Sequence, residues 1–102
     1  METLENWLYQ PQETDGTYKF SGSFFVTIGI QQTLSQQEIF EIYLFIKSLV
    51  ANKKGLDYLQ VFINKDTGQK LFFIDQLNTE MIESGQYKSE DNYCTLLLAS
   101  EY

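Results

Sequence analysis

The side chains of this chain that are able to do chemistry are few, and nearly all of them are carboxylates. Its 102 residues include no histidine, and Cys94 is the single cysteine. Without histidine, the usual general base near neutral pH and the commonest zinc ligand are both missing. A lone cysteine without histidine does not read as a protease-like nucleophile. Cys94 lies in the apolar run Cys94-Thr95-Leu96-Leu97-Leu98-Ala99, where a packed thiol is the expected state. No phosphate-cradling glycine loop, GxGxxG, GxSxG or calcium-loop pattern occurs. Asp57, Asp66, Asp75, Glu80 and Glu83 are the material left for a divalent cation, as in a metal-dependent nuclease. Their spacing fixes no site, so solvated turns and helix surfaces are the plainer expectation. No catalytic residue, metal or cofactor is expected.

The distribution of charge says more than any motif. The formal charge is −7, and every positive charge is a lysine. Residues 1–34 carry −3, residues 35–70 carry +1, and residues 71–102 carry −5. Nucleic-acid binding requires a basic footprint that displaces counterions, and this chain has the opposite sign. The same field repels anionic membranes and steers basic partners. Glu80, Glu83, Glu90 and Asp91, interleaved with Tyr87 and Tyr93, form the candidate partner-binding patch. Carboxylates pair with guanidinium forks, and tyrosine faces accept cations. The plainer reading is a solvated loop with its tyrosines anchored in the core and a charge that confers solubility; read as a binding surface, the patch suits a basic protein of the kind that handles nucleic acid.

The elements that must position these groups are legible from periodicity. Ser23–Ile30 reads as a strand, with Phe24, Val26, Ile28 and Ile30 alternating against Phe25, Thr27 and Gly29. Gly22 marks a bend before it. Ser35-Gln36-Gln37-Glu38 has capping-box spacing and predicts a helix from about Gln36 to Asn52, closed at Gly55. Its apolar face is broad, and Phe40, Leu44 and Phe45 extend it as a candidate oligomer interface. Part of that face is expected to meet the N-terminal segment or another chain. Asp57–Asn64 and Gln69–Asp75 form a strand pair around the turn ending in Gly68. The second of these is apolar on both faces, as a central strand would be. A short helix near Asn78–Ser84 and a last strand at Tyr93–Ala99 complete the order. Residues 1–16 read as a peripheral lead-in, with a short helix over Thr3–Tyr9. The expected fold is one α+β domain: a four-stranded antiparallel or mixed sheet packed by one long helix, with the ferredoxin-like split βαβ as one candidate topology. No apolar run approaches a membrane span, and the N-terminus lacks a signal-peptide pattern, so a cytoplasmic location in a reducing compartment is expected.

Phe25-Val26-Thr27-Ile28-Gly29-Ile30, the helix after it, Leu56-Asp57-Tyr58-Leu59-Gln60-Val61-Phe62, Gly68-Gln69-Lys70 and the tail from Cys94 to Tyr102 resemble a family of short proteins first described from staphylococci. That family is widespread in Gram-positive bacteria, phages, plasmids and other mobile elements, and has no assigned activity. The chain departs from its pattern at Ile28, where a basic residue is usual, and after Asp75, where the stretch is shorter. In size and charge the chain is also similar to anti-CRISPR proteins, many of which occupy the basic guide or DNA groove of a nuclease. That likeness, an analogy of type rather than a motif match, suggests as an expectation an inhibitor from a mobile element, acting in a bacterial host cell on a CRISPR-Cas effector of the Cas9 type. A homo-oligomeric scaffold or regulator working through the apolar helix face, as a homodimer for example, is the alternative. A metal-dependent nuclease is the third reading.

Overall fold

The computed structural model describes residues 4–102, with the backbone alone at Ser89. Five strands form one mixed sheet in the order β1-β3-β4-β5-β2. They are β1 (Trp7–Gln10), β2 (Ser23–Val26), β3 (Leu59–Asn64), β4 (Lys70–Asp75) and β5 (Tyr93–Leu98), with helices α1 (Ile28–Thr33), α2 (Gln36–Lys53) and α3 (Thr79–Glu83). β1, β3, β4 and β5 pair antiparallel, and β2 joins β5 in parallel. The fold class is the expected α+β, with one strand more than the sequence suggested.

α2 forms where its capping box predicts. The Ser35 hydroxyl accepts from the Glu38 N–H at 3.1 Å, and Glu38 Oε1 accepts from the Ser35 N–H at 3.0 Å. These bonds satisfy two of the amides that a helix start leaves free. The helix ends at Lys54, whose φ of +60° turns the chain out one residue before Gly55. Its inner face packs on the sheet through aromatic contacts. Tyr43 stacks on Phe24 at 4.6 Å, and Phe45 sits between Tyr9 and Phe62 at 5.2 and 5.9 Å. Phe20, Phe62, Phe73, Ile42, Ile46, Leu71 and Leu96 are fully buried in the same layer.

Three elements differ from the sequence reading, each for a local reason. The strand expected over Ser23–Ile30 stops at Val26, because Thr27 caps α1. Its hydroxyl accepts from the Ile30 N–H at 3.3 Å and donates to Glu101 at 2.7 Å. Tertiary contact with the C-terminal turn outweighs the apolar alternation that continues through Ile28 and Ile30. The helix expected over Thr3–Tyr9 is not formed at Trp7–Gln10, which instead pairs with β3 and buries Trp7 and half-buries Tyr9 against α2. The connection from β2 to β3 also departs from a split βαβ. Such a unit holds one strand between its two parallel strands, whereas β2 and β3 here enclose both β4 and β5. Gly22 does sit at a close approach: a Cβ there would lie 2.5 Å from the Asn92 carbonyl, where β2 begins to pair with β5.

Candidate protein-binding surface

β4 and β5 are adjacent and antiparallel, so two or three residues would suffice to join them. The chain instead makes a long excursion between Asp75 and Tyr93, and this excursion carries the candidate patch. Asn78 caps α3 by accepting from the Met81 N–H at 2.8 Å, which places Glu80 and Glu83 three residues apart on one short helix. Gly85 takes the positive φ of +78° that ends it. A single 3₁₀ turn, Ser89–Asp91, then presents Glu90 and Asp91. Glu80, Glu83, Tyr87, Glu90, Asp91 and Tyr93 are all exposed, and Lys88 is the one cation among them.

The excursion is pinned at both ends. Buried Asn92 accepts from the Leu77 N–H at 3.2 Å and so closes its neck. The Thr79 N–H and hydroxyl both donate to the Thr17 carbonyl, at 3.1 and 2.8 Å, and the Thr17 hydroxyl donates to Glu80. That hydroxyl holds the Glu80 carboxyl below the usual range, so Glu80 remains an anion into mildly acid solution. Thr17, Asn78 and Asn92 are the positioning residues that sequence reasoning missed. Tyr93 differs from the rest of the patch: it starts β5 and turns its ring edge-on to Phe25 at 5.8 Å, on the face of the sheet away from α2.

Of the helix residues expected at an oligomer interface, Phe40 and Leu44 are 59% and 41% exposed, whereas Phe45 is in the core. The alternation of exposed and buried turns along α2 puts Phe45 on the Tyr9–Phe62 side, so it is not offered to a second chain. Phe40 borders a groove of about 590 Å³ at the edge of the sheet, lined also by Phe24, Val26, Leu34 and Ile39.

The carboxylates considered for a cation do not assemble. Among the described residues no three acidic, thiol or imidazole groups come together. Asp57 accepts from Thr14 and from the Tyr58 N–H, and Asp66 sits in the exposed β3–β4 turn. Asp75 is buried and accepts from the Phe20 and Gln76 N–H groups at 2.8 and 2.9 Å. Burial pushes its carboxyl up, against those two bonds and the Lys47 charge. Cys94, opposite Asp75 across the β4–β5 pair, is buried; desolvation and the Asp75 charge push its thiol up to about 12. A thiol so placed is a packing group rather than a nucleophile.

No helix among the described residues is long and apolar enough to cross a membrane. Compared with family models, curated proteins and solved structures, the chain matches none.

Proposed function

We propose that this protein is a non-catalytic binder whose acidic excursion docks on the basic surface of a nucleic-acid-handling protein. We read it as an inhibitor from a phage, plasmid or other mobile element, acting as anti-CRISPR proteins do, with a Cas9-type effector as the test case. One observation carries the reading. An otherwise short antiparallel connection is expanded into a pinned excursion that exposes four carboxylates and Tyr87 against one lysine, with Tyr93 where it rejoins the sheet. A fixed array of that kind meets guanidinium and ammonium groups with less ordering cost than a loose acidic loop. The net charge of −7 adds long-range steering toward a cationic groove.

The test is a cleavage assay with a purified Cas9-type effector and its guide, with and without this protein, at two salt concentrations. The reading expects inhibition near stoichiometric ratios at low salt that weakens as salt rises. Unchanged cleavage at both salt concentrations, with no complex detected, removes that effector from the proposal.

A second reading rests on Phe40. Its exposure beside an apolar groove suits a regulator that docks another protein on α2.

A further inference from the structure

An antiparallel sheet packed on one side usually turns polar residues to the other. This sheet does not. On the face away from α2, the register aligns three cross-strand rows: Leu8, Ile63 and Lys70; Gln10, Val61, Phe72 and Leu97; and Leu59, Ile74, Thr95 and Phe25. Tyr93 and Ser23 add a fourth, shorter row. Nine of these thirteen positions are apolar or aromatic, and Lys70 is the one charge, although the chain as a whole carries −7. Leu8 and Phe25 are more than half exposed, and Leu59, Val61, Ile63, Phe72 and Ile74 are half-buried. The Tyr102 ring stands edge-on to Phe72 at 5.5 Å, and residues 10–14 skirt Leu59 and Val61.

We infer that this face is the interface of a homodimer, in which two copies pack sheet against sheet about a two-fold axis. Three observations point to a second copy as the occupant. The thirteen strand positions of the face include no carboxylate and one cation, with Glu13 and Asp57 at the rim beside Leu59 and Val61, so its centre has nothing with which to recognise a basic partner, and two acidic chains meet there without stacking like charges. Its two central rows are mainly apolar, through Val61, Phe72, Leu97, Leu59, Ile74 and Phe25, and a two-fold axis makes such a face self-complementary. The area is also sufficient. Strands about 4.8 Å apart and residues about 3.3 Å apart give two such faces a combined projection of about 800 Å². Side-chain relief carries the buried surface to about 1,200 Å², where specific interfaces begin. Two sheets packed about 10 Å apart then cover Val61, Phe72 and Ile74 as a sandwich covers its core. The acidic excursions lie beyond the end of β4 in each copy, so the dimer displays two of them, and this inference holds whether or not they bind as proposed.

The test is mass by light scattering and sedimentation over a wide concentration range. Twice the chain mass of 11.9 kDa is expected. Leu8→Glu with Phe25→Glu, at positions already exposed, is expected to give a folded monomer. Phe40→Ser, on the α2 side, is expected to leave the dimer intact. The wild-type protein supplies an independent measurement: in the single chain Leu8 is more exposed than Leu44, at 53% against 41%, so a soluble paramagnetic probe should broaden the methyl signals of Leu44 but spare those of Leu8 only if the dimer forms. A monomeric mass throughout, a dimer lost on Phe40→Ser but kept in the double variant, or broadening of Leu8 as strong as that of Leu44 overturns the inference.

Discussion

The Trp7 indole N–H donates to Glu38 Oε2 at 3.0 Å, while the other oxygen of the same carboxylate accepts from the Ser35 N–H at 3.0 Å. One side chain thus closes the start of α2 and ties β1 to it. Burial opposes ionisation of Glu38, but the bonds from Ser35, Trp7 and Asn6 outweigh it and hold the carboxyl below its ordinary 4.5. Glu38→Gln is expected to cost about 1–2 kcal/mol in urea unfolding at neutral pH. Because the folded value is the lower one, the contribution is complete above 4.5 and is lost as pH falls through the native value. The variant and the parent should therefore converge in acid. Equal stabilities at neutral pH contradict this role.

Asp75 runs in the opposite direction. Its folded value is raised, so its ionisation costs stability as pH climbs from 3.8 through that raised value. Carboxyl-carbon titration by NMR should place Asp75 above 3.8 and Glu38 below 4.5. Asp75→Ala leaves the buried Phe20 N–H without its acceptor and is expected to cost about 1–3 kcal/mol. Phe20 itself holds a φ of +50°, a backbone the Asp75 bond helps to maintain. A midpoint for Asp75 at or below 3.8 rejects the burial argument.

Cys94 should resist thiol reagents. With the thiol pushed up to about 12 and the side chain buried, modification of the native protein at mildly alkaline pH should be at least about 10³-fold slower than in the unfolded chain. Labelling as fast as in denaturant shows that the β4–β5 pair opens freely.

Gly22→Ala should loosen β2. The added Cβ meets the Asn92 backbone at 2.5 Å, a contact that only backbone movement relieves. A loss of about 2–3 kcal/mol is expected, with early amide exchange at Phe25 and Thr27, whose N–H groups face β5. A neutral substitution contradicts the observed approach of the two strands.

Much of this fold is legible in the sequence where a signal is local. Ser35 and Glu38 stand at capping-box spacing, and Leu71 through Ile74 are apolar on both sides, so α2 and the central position of β4 follow directly. The misreadings occur where distant residues decide. Leu4, Trp7 and Leu8 have helical spacing, yet β3 and Glu38 draw Trp7–Gln10 into the sheet. Thr27 reads as the middle of an alternating strand until Glu101, near the other terminus, makes it a cap. The same holds for the candidate surface. Its carboxylates and tyrosines are visible as composition, but the bonds from Thr17 and Asn92 that hold the excursion join residues far apart in the chain.

The central claim, that the excursion's carboxylates do the binding, is tested most directly by matched charge reversals. Glu83→Lys with Glu90→Lys changes the excursion. Glu5→Lys with Asp66→Lys makes the same change in net charge near the β3–β4 turn, at the opposite end of β4. Affinity for the Cas9-type effector, measured by calorimetry at two salt concentrations, should fall by about tenfold or more and lose its salt dependence in the first pair, and change little in the second. Equal losses in both pairs, or binding indifferent to salt and to the excursion pair, contradict the account.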